Sequence, residues 1–102
     1  MELTDFRHKG LWRLYHDDDV RGIATAVPDR LRRLLLALET AERLEDLNRF
    51  PGWRLHPLKG DLSGHWSLTV TGNLRLIFRY DGETNTASHL DLVDYHWEAS
   101  CR

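Results

Sequence analysis

A chain of 102 residues predicts a single domain spanning 1–102, and a composition 41% apolar and 29% charged is that of a folded globular protein rather than a disordered one. A lone Cys101 excludes an internal disulfide and suits a reducing cytoplasm; no apolar run approaches the ~20 residues of a membrane helix, and the opening Met1-Glu2-Leu3-Thr4-Asp5 lacks the basic-then-apolar order of a signal peptide. With 14 basic and 16 acidic side chains the net charge is −2, so any contact with a polyanion requires a segregated basic patch rather than a basic surface overall.

Leu3 to Phe6 reads as a short strand, and Lys9 to Tyr15 as a short helix with Leu11, Leu14 and Tyr15 on one side. The run Asp17-Asp18-Asp19 invites a metal-site reading, but adjacent carboxylates on a turn fan outwards, and a solvated turn is expected. Pro28 opens a helix, since its missing N–H costs nothing in the first turn. Leu31, Leu34, Leu35, Leu38 and Ala41 follow with the spacing of one apolar face, which Leu44 and Leu47 extend, and Thr40 is a candidate cap for a second short helix. Arg30, Arg32, Arg33 and Arg43 are interspersed with Asp29, Glu39, Glu42 and Glu45, and this mixed-sign face is read as solvated in preference to an RNA contact, while it could equally meet a partner protein.

From Trp53 the hydrophobic period changes to two. Trp53 to His56 is a candidate strand stopped by Pro57, followed by a loop to Asp61 and a strand from His65 to Thr71 with Trp66, Leu68 and Val70 on one face. Gly72 and Asn73 are expected to supply the positive backbone angles of a tight hairpin. Leu74, Leu76, Phe78 and Tyr80 then alternate with Arg75, Ile77 and Arg79; Asp81-Gly82 opens a turn, and Ser88 to His96 forms the last strand with Leu90, Leu92, Asp94 and His96 of one parity. Helices followed by antiparallel strands predict an α+β fold with helices on one sheet face. The other face is expected to stay partly open and to display His65, Arg75 and Arg79.

His56, Lys59, Arg75, Asp94, Tyr95 and His96 together supply bases, acids and cations for phosphodiester chemistry. Residue by residue, blander readings compete. Asp94 and His96 suit a hydrogen-bonded clasp at a strand end, Lys59 a surface turn, Arg75 and Arg79 solvation or pairing with acids such as Asp91, and His8, His16, His65 and His89 polar or partly buried surface. A metal enzyme built on His89, Asp94 and His96 is disfavoured because no spacing matches a zinc signature.

Leu55-His56-Pro57-Leu58-Lys59-Gly60-Asp61, Gly64-His65-Trp66-Ser67-Leu68, Asn73-Leu74-Arg75-Leu76-Ile77-Phe78 and Asp94-Tyr95-His96 form one extended pattern. Joined by Phe6-Arg7-His8-Lys9-Gly10-Leu11 and Leu44-Glu45-Asp46-Leu47-Asn48, it resembles the HigB branch of the RelE/ParE toxin superfamily over nearly the whole chain. The resemblance implies a RelE-like fold, with two or three helices packed on one face of a mainly antiparallel twisted sheet of four to five strands. It implies a cytoplasmic toxin of a type II toxin–antitoxin pair, a ribosome-dependent endoribonuclease that cuts translated mRNA with neither cofactor nor metal. His56, Asp94, Tyr95 and His96 are the implied catalytic residues, and Lys59, Arg75 and Arg79 the cations holding RNA. The implied partners are a HigA-like helix-turn-helix antitoxin, the ribosome and mRNA, with DNA reached only through the antitoxin and no membrane. Two alternatives are a ParE-like gyrase-binding toxin, against which the His56 and Asp94-Tyr95-His96 set speaks, and a degenerate antitoxin-binding module. The tail Trp97 to Arg102 runs past the point where this pattern often stops.

Overall fold

The computed structural model describes residues 1–23 and 28–94. Strand β1 (Glu2–Leu3) is followed by helices α1 (Lys9–Asp17) and α2 (Pro28–Thr40), two 3-10 turns (Leu44–Arg49 and Pro51–Trp53), β2 (His56–Pro57), a third 3-10 turn (Gly60–Leu62), and then β3 (His65–Thr69), β4 (Leu74–Asp81) and β5 (Thr86–Asp94). The strands form one five-stranded sheet in the order β1-β5-β4-β3-β2, antiparallel except where β1 runs parallel to β5. This is the α+β arrangement the sequence implied, with a sheet of five strands.

The core forms where the apolar faces of the helices meet one face of the sheet. Leu11 and Leu14 of α1 and Leu31, Leu34, Leu35 and Leu38 of α2 are buried together with Leu68, Val70, Leu76, Phe78, Ala87 and Leu90. Each buried leucine contributes ~1.5–3 kcal/mol, so the periodicity of α2 alone commits that helix to the sheet. Leu44 and Leu47 extend the same apolar surface from within a 3-10 turn. Thr40 does not cap that turn: its hydroxyl donates back to the Leu36 carbonyl at 2.9 Å, a bond that closes α2.

Helix α1 begins at His8, whose Nδ1 accepts the Leu11 N–H at 3.0 Å, and ends at Asp18, which takes a left-handed conformation with φ 53°. The acidic run is consumed by arginines. Asp18 accepts from Arg32 Nε at 2.6 Å, and Asp19 accepts a bidentate pair from Arg21 that holds its carboxyl down at about 2.

Several boundaries differ from expectation, each for a local reason. The first strand is confined to Glu2 and Leu3 because Asp5 turns left-handed (φ 53°), after which Phe6 makes a single parallel bridge to Leu90. Instead of a strand from Trp53, a 3-10 turn and a left-handed Arg54 (φ 50°) delay β2 to His56 and Pro57, which pair with Ser67 and Trp66. Pro57 therefore occupies the sheet edge, where it need donate nothing, rather than ending a strand before it. The β3–β4 turn does not use positive angles at Gly72 or Asn73. The Thr71 hydroxyl accepts the Leu74 N–H at 3.1 Å, and one Arg75 nitrogen donates to the Thr71, Gly72 and Leu74 carbonyls at 2.7, 3.1 and 3.3 Å. Strand β5 begins at Thr86, two residues earlier than expected, and shifts register between Ile77 and Arg79 of β4 where His89 adopts φ 55°. That bulge is why Ala87 and Leu90, of opposite parity, both enter the core.

Candidate active site

The edge of the sheet carries the first part of the site. His56 pairs with Ser67, Ser67 with Ile77 and Ile77 with Asp91, so these four form a row across the face turned away from the helices. That face is only partly open. Ser67 and Ile77 are each 4% exposed, whereas Arg79 is exposed and Arg75 half-buried. Beyond β2 the Leu58 N–H donates to the His65 carbonyl at 2.9 Å, which closes the intervening loop on β3. Gly60 takes φ 68° and its carbonyl accepts the Ser63 N–H at 3.0 Å. His56 in β2 and Lys59 at the start of the loop so fixed are both exposed.

The second part lies where β4 and β5 meet. Asp94 pairs with Leu74, and Arg75 pairs with Val93, so Arg75 and Asp94 stand at the same end of the sheet. His56 is separated from Asp94 by β3 and β4, and the alternation of side chains places the two on opposite faces of the pairing. Tyr95 and His96 follow Asp94 directly and lie outside the described residues. The predicted residues thus come as two groups: His56 with Lys59 on the β2–β3 loop, and Arg75 with Asp94 at the open end of the β4–β5 pair.

Arg79 belongs to a third group. Its guanidinium lies over Gly64 (φ 92°), where an added Cβ would stand 3.1 Å from Nη2. His65, opposite Arg79 in the sheet, meets His89 edge to face with ring centroids 6.2 Å apart. Its Nδ1 is buried without a hydrogen-bond partner among the described residues. Burial is the main reason its pKa is lowered, and the neighbouring Arg79, His89 and Arg7 charges push the same way against a backbone hydrogen bond with Leu62 that acts to raise it. His89 lies 3.2 Å from Asp5 and 3.1 Å from the Ser88 hydroxyl. Among the described residues no three His, Cys, Asp or Glu side chains gather where they could hold a metal ion.

One feature escaped sequence reasoning. A cleft of about 440 Å³ lies between α2 and the β3–β4 turn, with Arg30, Arg33, Trp53, Thr69, Thr71 and Gly72 in its lining. The relevant signal is the three-residue spacing of Arg30 and Arg33 on one flank of α2, which the mixed charge of the helix as a whole conceals.

Residues 4–96 match the model of a family described as the HigB-like toxin, the RelE-like toxin of type II toxin–antitoxin systems. The chain belongs to the HigB-like toxin family. Across 95 residues this HigB-like toxin is 39% identical to a Proteus vulgaris protein named Endoribonuclease HigB, covering 92% of the chain and 99% of that relative. It is 34% identical over 92 residues to Toxin HigB-1 of Vibrio cholerae, covering 89% and 97%. Among solved structures, YafQ from E. coli strain BL21(DE3) superposes with a TM-score of 0.57 at 12% identity, covering 92% of this chain and 93% of that one. A YoeB/ParE toxin from Agrobacterium tumefaciens gives 0.53 at 20% identity, covering 95% and 100%. These two likenesses are of fold alone. Membership makes the chain the toxin of a type II toxin–antitoxin system and carries with it an antitoxin partner. No helix among the described residues of this HigB-like toxin is long and apolar enough to cross a membrane.

Proposed function

We propose that this HigB-like toxin is an endoribonuclease that cuts translated mRNA on the ribosome and so arrests protein synthesis. The observation that carries the reading is the 39% identity over 92% of the chain to a relative named Endoribonuclease HigB, combined with the exposure of His56 and Lys59 on one fixed loop. The reaction draws its nucleophile from the substrate. A base removes the ribose 2′-OH proton, the 2′ oxygen bonds to phosphorus, the bond from phosphorus to the 5′ oxygen breaks, and an acid protonates that leaving oxygen. His56 and His96 are the base and acid in either order, and Asp94 is a base or the group that orients a histidine. Tyr95 stacks on a base or donates a proton, Lys59 and Arg75 hold the phosphate, and Arg79 is a further contact to the RNA.

Residues on different strands require the substrate to be laid across the sheet end, and the ribosome supplies that orientation. Ribosome dependence also reconciles a net charge of −2 with an RNA substrate, since only a local basic surface must meet it. The partner is a HigA-like helix-turn-helix antitoxin through which alone the toxin reaches operator DNA, and the compartment is the cytoplasm.

Primer extension on a defined mRNA, with and without programmed ribosomes, tests this with the wild type and folded His56→Ala, Asp94→Ala and His96→Ala variants. Cleavage that needs ribosomes and falls by ~10²–10⁴ per lost acid or base is expected. Intact mRNA with growth still arrested would replace the nuclease by a ParE-like action on gyrase, and intact mRNA with normal growth by an antitoxin-binding module.

A further inference from the structure

We propose that the cleft between α2 and the β3–β4 turn is a subsite for single-stranded RNA, holding a phosphate on Arg33 and a base against Trp53. This rests on the reading that the toxin meets RNA and adds a location that none of the predicted site residues occupies.

Charge is the first argument. Among the described residues Arg7, Arg21, Arg32 and Arg43 are each paired with an aspartate. Arg33 has no such pairing there, and Arg30 reaches the cleft with one nitrogen donating to the Val70 carbonyl at 2.7 Å. Among the described residues no carboxylate lines the cleft, although the chain has 16 of them and a net charge of −2. The larger groove between α1 and α2, by contrast, is lined by Asp17, Asp18 and Glu39 and would repel a phosphate chain. Segregated positive charge in an acidic protein is what a polyanion site requires.

Shape and chemistry are the second. A volume of about 440 Å³ lies within the ~300–1,000 Å³ of ordinary ligand sites. Thr69 and Thr71 add polar residues to the same lining. Trp53 offers a flat wall held in place by stacking on Phe50, with ring centroids 4.0 Å apart. A Cβ built on Gly52 or Gly72 would meet nothing within 4 Å, so the rim is open to a chain passing through. Cation, polar lining and a partly exposed aromatic together match a nucleotide better than a bare anion.

Position is the third. Thr71 and Gly72, which line the cleft, are the residues whose carbonyls accept from Arg75. The turn is therefore flanked by Arg75 on one side and by the cleft on the other. An RNA strand that crosses it passes from the proposed phosphate contact of the active site directly onto Arg33.

The test uses the whole protein, a fluorescein-labelled RNA decamer and fluorescence anisotropy over a salt series. Arg33→Gln is expected to bind about tenfold more weakly, with the log–log salt slope reduced by about one, and Arg33→Lys to restore the slope. RNA should quench tryptophan emission in the wild type and less so in Trp53→Phe. Absence of wild-type binding up to ~10⁻⁴ M, or binding and slope unchanged in Arg33→Gln, overturns the proposal. Primer extension in parallel separates the two readings: Arg33-dependent binding without mRNA cleavage sinks the nuclease and keeps the subsite, and cleavage with Arg33-independent binding does the reverse. Titration onto ribosomes assigns the source, since a defect on vacant ribosomes places ribosomal RNA in the cleft and a defect seen only with mRNA present places mRNA there.

Discussion

Gly10 and Gly22 bring their backbones so close that a methyl group on Gly10 would stand 2.1 Å from the Gly22 carbonyl oxygen. Gly10 lies in the first turn of α1, where an alanine would ordinarily stabilise the helix by ~1 kcal/mol. Here the sign reverses. Gly10→Ala is expected to cost ~1–3 kcal/mol in urea denaturation, because backbone rather than a flexible side chain must move. Gly72→Ala, where nothing lies within 4 Å of the added carbon, should stay within ~0.5 kcal/mol of the wild type.

Asn85 ties the β4–β5 turn to the end of α2. Its Oδ1 accepts from the Tyr80 hydroxyl at 2.7 Å, its Nδ2 donates to the Ala41 carbonyl at 3.1 Å, and its backbone carbonyl accepts the Glu2 N–H at 2.9 Å, all from a left-handed residue with φ 51°. Asn85→Ala loses both side-chain bonds and retains an unfavourable φ, so a cost of ~2–4 kcal/mol is expected. Asn85→Gly loses the same bonds without the steric penalty. Its melting temperature should fall between those of the wild type and the alanine variant.

Arg75 has two separable duties. Its Nη1 gathers three carbonyls of the β3–β4 turn, and its guanidinium is also the proposed phosphate ligand. Arg75→Gln should therefore lower stability by ~1–2 kcal/mol in chemical denaturation and also lower cleavage. Arg75→Lys keeps the charge without the planar fork and should recover part of the cleavage but little of the stability. A variant impaired in neither would remove Arg75 from both roles.

The helical and hairpin elements were legible because their side-chain periods are regular. Every leucine placed on the apolar face of α2 is buried, and the alternation of β4 carries Leu76 and Phe78 into the core as expected. What escaped was set by single backbone conformations rather than by pattern. The left-handed angles at Asp5, Arg54 and His89 shorten one strand, delay another and bulge a third, and none has a glycine to announce it. The candidate site divides in the same way. The pattern around His56, Lys59, Arg75 and Asp94 carried the resemblance from which the chemistry is proposed, but residues far apart in sequence reach two regions of the sheet through pairings that no local rule reveals. Tyr95 and His96 lie outside the described residues, and the cleft beside Arg33 is assembled from three separate segments.

His65 should make stability depend on pH. Its folded-state pKa is lowered chiefly by burial, so between that value and the ordinary ~6.5 the unfolded chain binds more protons than the native one. The stabilisation is present above about pH 6.5 and declines as pH falls towards the folded-state value. An NMR titration should find the His65 ring protonating below the ordinary ~6.5, and His65→Phe should flatten the slope of stability over that interval. A His65 ring titrating at or above ~6.5 would contradict the burial argument.

The sheet is closed by a parallel pairing between its first and last strands, with Glu2 against Thr86 and Leu3 against Ala87. Local hairpins can form while the polypeptide is still being synthesised, but this seam joins segments as far apart in sequence as Glu2 and Thr86, and such long-range closure is slow. Strand β5 also carries Asp94. A nascent chain emerging from the ribosome therefore lacks both the completed sheet and a residue of the proposed site until β5 has been made, so the topology itself delays assembly of that site.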